Sequence, residues 1–198
     1  MSELVLDANT IGMIAGFISL IAFIPYIHSV LKSGKKPNRA SWWIWTFAGI
    51  LLTISHYSLG GHTTIWVPLT IILGPLAVAI ISLKYGEGGW TTFDKCCIAS
   101  VLVSVLVWFI LGPQFTLYIN IAIDFLGALP TIRKVYRNPN SESLTAWSLF
   151  FIADFINLFA IQVWKLDVII YPVYLTLLCV AVVSLILRRC FIKVKKTH

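Results

Sequence analysis

Apolar positions gather into seven runs, at about 11–31, 42–59, 64–83, 96–112, 115–136, 145–164 and 167–188, with short polar patches between them. Each run approaches the roughly 20 residues that an α-helix needs to cross a bilayer. The pattern predicts an all-α integral membrane protein of seven transmembrane helices, and it leaves little chain for a soluble domain. Residues 1–198 then form a single membrane domain. Composition agrees: 59% of residues are hydrophobic and 12% charged, about half the charged share of an ordinary globular chain.

Charge placement adds orientation. The net charge of +7 is carried by cations that fall, if the helices alternate, almost wholly on one side. That side receives Lys32, Lys35, Lys36, Arg39, Lys84, Lys95, Arg133, Lys134 and Arg137, together with Arg188, Arg189, Lys193, Lys195 and Lys196. Lys165 alone falls opposite. The asymmetry predicts an outside N-terminus and a cytoplasmic C-terminus, most simply in the cell membrane. It also assigns the basic surface to anionic lipid headgroups rather than to nucleic acid. The acidic start "MSELVLDANT" lacks the basic region of a signal peptide, so the first run is expected to be a retained helix.

The chain repeats itself. Residues 17–84 align on 122–189 with a separation of 105 residues, slipping to 104 near the end. Pro25 meets Pro130, Ile27 meets Ile132, Val30 meets Val135 and Trp42 meets Trp147, while Pro68 meets Pro172 in the last helix of each unit. The expected plan is two parallel three-helix repeats, 11–84 and 115–190, joined by a linker helix at 96–112 (3+1+3). An odd unit followed by one extra span returns the second unit to the orientation of the first.

The segments "FIPYIHSVLKSGKKPNRASWWIW" and "ALPTIRKVYRNPNSESLTAWSLF" carry a likeness to known proteins. Each reads as a helix with proline, a basic loop, Ser or Thr, and a Trp-containing next helix. In this the chain resembles the PQ-loop/SWEET superfamily of transporters over nearly its whole length. It departs at the name-giving dipeptide, where Tyr26 and Thr131, rather than Gln, follow the two prolines. The resemblance implies alternating access, with Pro25 and Pro130 as hinges of an inner gate. From the residues alone, each proline either hinges its helix or kinks it statically.

Two acids stand out against the apolar background. Asp124 lies about nine residues, or roughly 13 Å, from the outer end of its helix, and Asp154 lies equally far from the inner end of the next. Both fall near the midplane, where an ionised carboxylate costs several kcal/mol, and no Lys or Arg lies at that depth. Each must be protonated, face water or be held by polar neighbours, and burial without a cation is the condition under which an acid takes up and releases protons. Asn120 and Gly127 share the face of Asp124, and Trp147, Phe150, Asp154, Asn157, Ile161 and Trp164 form one stripe. In the first unit the stripe reads Trp42, Trp45, Gly49 and Leu52, with Ser19 in place of Asp124.

Amide and carboxylate groups beside flat aromatic walls are the mixture of a small-molecule site. The candidate substrate-binding residues are therefore Trp42, Asn120, Asp124, Trp147, Asp154 and Asn157, with Asp154 and Asp124 as the proton-coupling pair. The alternative is that the polar residues hold helices together and the tryptophans form an interfacial belt. His28 reads either as a gate or relay group or as a solvated interfacial side chain, and His56 and His62 fall in an outer loop. Cysteines 96, 97, 179 and 190 read as packing, with acylation of Cys96, Cys97 or Cys190 the other reading.

No enzyme signature emerges. "GEGG" at 86–89 lacks the strand and the Lys-Ser/Thr of a phosphate cradle, and no metal site or cofactor is expected. The function expected is transport of a small polar or amphipathic solute by alternating access, either coupled to protons through Asp154 or Asp124 or facilitative. The expected partners are that solute and membrane lipids, with self-association left open. A receptor or sorting protein, or a non-transporting scaffold, on the same fold stands as the alternative.

Overall fold

The computed structural model describes residues 6–194, with side chains to Arg188. The expectations for the side chains of Arg189, Cys190, Lys193, Lys195 and Lys196 lie outside these residues. The described chain forms seven α-helices: α1 Ala8–Lys32, α2 Arg39–Ser58, α3 Trp66–Tyr85, α4 Thr92–Leu111, α5 Pro113–Arg137, α6 Leu144–Leu158 and α7 Leu166–Val194. Five are long and apolar enough to cross a membrane, namely α1, α3, α4, α5 and α7 over Leu166–Arg188.

The start signals are local. Asp7 caps α1 by accepting from the Thr10 N–H at 2.7 Å, and that hydrogen bond holds its carboxyl below the usual range. Asn38 caps α2 in the same way through Ser41. Thr91 and Asp94 close a reciprocal capping box on α4.

The other two helices differ from the expected spans for a physical reason. The run at 145–164 does not stay helical throughout: α6 ends at Leu158, and Phe159, Ala160 and Ile161 tighten into i→i−3 bonds. At 15 residues α6 is about 22 Å long, short of a hydrocarbon core of about 30 Å. Helix α2 has the length, but it buries Ser41, Thr46, Thr53, Ser55 and His56. These polar side chains of α2, and Asn157, Ala160 and Ile161 where α6 ends, are covered by neighbours, as lipid-embedded backbone and polar groups require, while both helices keep an exposed apolar face.

Packing follows. Helix α1 lies against α3 and, across the bundle, against α6. Helix α2 lies against α3 and, across the bundle, against α5, while α7 packs on both α5 and α6. Among the described residues the backbones of α1 and α2, and those of α5 and α6, do not approach closely, although Phe23 and Tyr26 of α1 reach the Trp42 ring of α2. Helix α4 sits outside, on α5 and α2, and its far face leaves Leu102, Leu106, Phe109 and Ile110 61–82% exposed. Outward apolar faces of this size suit a hydrocarbon solvent rather than water.

Glycines permit the closest approaches. A Cβ on Gly16 would lie 2.8–2.9 Å from Trp66, two of its contacts being backbone, and one on Gly74 would lie 2.1 Å from the Phe23 ring. Small residues at such crossings are the usual means of association where lipid removes the hydrophobic drive.

The loops collect at two ends. At one, Arg39 donates to the carbonyl oxygens of Ser82, Gly86 and Gly88, covering the C-terminus of α3, and Asn38 bridges to Glu87. Lys134 reaches the Lys36 carbonyl at 2.6 Å, so the loops after α1, α3 and α5 share this end. The sequence's basic loops are therefore neighbours in space. At the opposite end Thr63 donates to the Ala160 carbonyl and Asn157 to that of Thr64.

Gly16→Ala is expected to lower the melting temperature of the purified protein, at a cost of about 1–3 kcal/mol from overpacking against rigid backbone. Gly89→Ala, whose Cβ would meet nothing within 4 Å, is expected to leave melting unchanged. Equal melting of the two variants would contradict the packing described for α1 and α3.

Candidate functional site

A small cavity of about 80 Å³ lies inside the bundle. Its walls come from α1 (Ser19, Phe23), α2 (Trp42, Trp45), α3 (Ile71, Pro75), α5 (Asp124), α6 (Trp147, Phe150, Asp154) and α7 (Leu175, Leu178, Cys179). It is well below the 300–1,000 Å³ of preformed drug-sized sites and has room for a compact group.

Five aromatic rings form a closed circuit on this wall. Phe23 meets Trp42 with centroids 6.4 Å apart, Trp42 meets Trp45 at 5.0 Å, and Trp45 meets Trp147 at 6.4 Å. Trp147 then meets Phe150 at 5.9 Å and Phe150 returns to Phe23 at 4.8 Å. All five contacts are edge-to-face, the geometry the ring quadrupole favours. Trp42, Trp45 and Trp147 are thus buried, and an interfacial belt does not describe them. Trp43 keeps an outward face, stacked on Phe47.

The two acids complete the cavity. Asp124 is 4% and Asp154 6% exposed. Asp124 accepts from the Tyr174 hydroxyl at 2.5 Å, and its backbone carbonyl accepts from the Trp45 indole at 3.2 Å. Asp154 accepts from the Cys179 thiol at 3.1 Å, so Cys179 does more than pack. Neither acid has a cationic partner, since both ion pairs among the described residues are made by Lys134. Carboxylate oxygens offer about four acceptor positions, so each acid keeps unused capacity.

The other expected site residues separate. Trp42, Trp147, Asp124 and Asp154 come together on the cavity wall. Asn120 does not: it donates to Ser104 at 2.9 Å and to the Thr116 carbonyl, clamping α4 to α5. Asn157 donates to the Thr64 carbonyl near the far end and leaves its Oδ1 without a partner. Trp164 leaves the stripe altogether, 73% exposed beyond the end of α6. His28 is exposed on α1. His56 is not in a loop but in the last turn of α2, fully buried, with Nε2 2.7 Å from the Thr64 hydroxyl and its ring against Tyr171. Helices α1 and α5 run unbroken through Pro25 and Pro130.

Sequence reasoning missed Phe23, Tyr174 and the role of Cys179. Tyr174 and Cys179 lie on one face of α7 with Tyr171 and Leu175, a 3–4 spacing that an apolar run hides.

Below the aromatic circuit, Glu142 is 1% exposed. It pairs closely with Lys134 and accepts from the Trp147 indole at 3.2 Å. Lys134 also lies 3.7 Å from Glu87. One lysine thus ties the α1–α2, α3–α4 and α5–α6 loops beneath the cavity. Comparison with protein-family models, curated proteins and solved structures finds no match for this chain.

Removing one partner of a buried ion pair strands the other, at about 3–5 kcal/mol. Lys134→Ala should therefore unfold at markedly lower temperature, and adding Glu142→Gln should recover part of the loss. A double variant no more stable than Lys134→Ala would show that the Glu142 charge is not what the lysine neutralises.

Proposed function

We propose that this chain is a transporter of a small polar or amphipathic solute, built on the 3+1+3 plan of the PQ-loop/SWEET superfamily and working by alternating access. The observation that carries this reading is the matched origin of the cavity wall. Ser19 and Asp124, Trp42 and Trp147, and Trp45 and Phe150 are pairs separated by 105 residues, and Ile71 and Leu175, and Pro75 and Cys179, are pairs separated by 104. Ten of the wall residues are thus five repeat-related pairs facing one void. Such a pattern belongs to a site on the axis between two halves.

Helix packing supports the same reading. Exchanging α1 with α5, α2 with α6 and α3 with α7 turns the α1–α6 contact into α5–α2, α1–α3 into α5–α7, and α2–α3 into α6–α7. Helix α4 has no counterpart, as a linker would not. On this reading the loops joined by Lys134 form the cytoplasmic gate, the N-terminus lies outside, and Pro25 and Pro130 are the hinges that open the gate. Asp154 and Asp124, the buried acids without cations, carry the proton that couples to the solute.

A receptor or sorting role draws on a different feature. An open cleft of about 760 Å³ at the basic end is lined by Arg133, Lys134, Arg137, Glu87 and Asp94 and is large enough for a peptide. A scaffold role draws on the Asn120 clamp.

Flux into proteoliposomes, measured with a panel of solutes and an imposed pH gradient, tests the proposal. Gradient-driven accumulation should fall at least about tenfold in Asp154→Asn with the fold intact, the loss of an essential proton carrier. Uptake indifferent to the gradient and to both acid substitutions would remove the coupling and leave facilitated diffusion. No flux of any solute by folded protein, with saturable peptide binding, would replace transport by the receptor role.

A further inference from the structure

We infer that the occupant of the central cavity is a small organic cation, an ammonium head on a compact apolar body, carrying no carboxylate or phosphate of its own. The inference rests on reading the cavity as the solute site.

Charge comes first. Asp124 and Asp154 bring two acidic groups to one void, and no Lys, Arg or His lies on its wall. The cations among the described residues stand elsewhere, gathered mainly at the loop end around Lys134 and Arg39. A buried carboxylate without a counter-ion is stabilised by any cation that enters, whereas an anionic group would meet only repulsion and lost hydration. The same wall offers nothing to neutralise the carboxylate of an amino acid, so a zwitterion is disfavoured along with an anion.

Hydrogen-bonding capacity comes second. The Ser19 hydroxyl is already engaged with Thr70 at 2.7 Å, and the Trp45 and Trp147 indoles are bonded to the Asp124 carbonyl and Glu142. Among the described residues the Trp42 indole is the one unpartnered donor on a wall otherwise largely aromatic and aliphatic. A sugar needs partners for many hydroxyls and would leave most of them unpaired here. An alkylammonium group needs few.

Geometry comes third. Phe23, Trp42, Trp45, Trp147 and Phe150 close a circuit of π-systems on the wall that the acids share. Aromatic walls with a carboxylate nearby form the environment in which a desolvated ammonium is best held, through the negative ring faces and one full charge. The void's small volume suits a compact head. A single monovalent cation balances one ionised acid, and the other acid then remains protonated, so that no net charge is buried.

Three probes of nearly one shape test this on the full chain in lipid nanodiscs, followed by tryptophan fluorescence and calorimetric titration. Choline carries the cation alone, 3,3-dimethylbutan-1-ol replaces its nitrogen with carbon, and glycine betaine adds a carboxylate. Choline should bind saturably and at least about tenfold more tightly than either of the others. Asp154→Asn and Trp147→Leu should each weaken it by about tenfold. The wild-type comparison stands even if a variant misfolds.

Equal or tighter binding of the neutral or zwitterionic probe overturns the inference, as does no saturable binding of choline, tetramethylammonium or methylammonium up to about 10 mM. If a neutral solute is transported while these cations fail, the cation assignment falls and transport stands. If choline binds but no solute crosses proteoliposomes, transport falls and the binding assignment stands.

Discussion

An ionised carboxylate taken out of water must recover its lost hydration from the protein, and this bundle meets that demand in two different ways. Glu142 is sealed beneath the core and is answered in full, by the Lys134 ammonium and the Trp147 indole. Asp124 and Asp154 are almost as deeply buried, yet each receives one side-chain donor, a phenol and a thiol, and no cation. A stable bundle has no need of such acids, because an apolar side chain of the same size would cost less. The molecule can place a lysine against a buried acid and does so one layer away. Leaving the two central acids without one therefore separates them from structural polar residues such as Asn120, whose amide is satisfied by Ser104 and Thr116.

The aromatic circuit takes its meaning from that demand. Five edge-to-face rings surround the acids with apolar walls, and a low local dielectric strengthens every electrostatic interaction inside. They also give the wall rigidity, since each ring is fixed by two neighbours. Gly74 belongs to the same arrangement, because only a residue without Cβ lets the Phe23 ring lie where it does. The Trp45 indole, bonded to the Asp124 carbonyl, joins the circuit to the acid on the facing helix.

Much of the fold was legible in the sequence because lipid allows few solutions. Apolar runs near span length, separated by basic loops, gave seven helices in the right order, and the basic loops do meet at one end. Boundaries were less legible where tertiary cover replaced lipid. Helix α6 stops at Leu158 although the apolar pattern runs on, and His56, read as loop although it falls inside the 42–59 run, sits buried in the last turn of α2. At the site, four of the six expected residues share the cavity because the 3–4 spacing that selected them is the geometry of one helix face. Asn120 and Asn157 failed to join them because spacing along one helix does not say which neighbour that face meets. Phe23 and Tyr174 were hidden for the opposite reason, standing in stretches, 20–27 and 168–175, where every residue is apolar or aromatic.

On the proposed duplication, the places where the halves differ form a pattern of their own. Phe23 in the first unit is matched by Ala128 in the second, and Gly74 by Leu178. A large residue on one helix and a small one on its neighbour have exchanged sizes, which preserves volume around the void while making it lopsided. Gly49 and Ser19 likewise answer Asp154 and Asp124, so both acids belong to the second unit. A symmetric pair of acids from each unit would bring four carboxylates to a space of about 80 Å³, a repulsion no bundle of this size would tolerate. Confining the acids to one unit keeps the packing symmetry of the duplication and gives the cavity a polar side and an apolar side, which is what orients an occupant with one charged end.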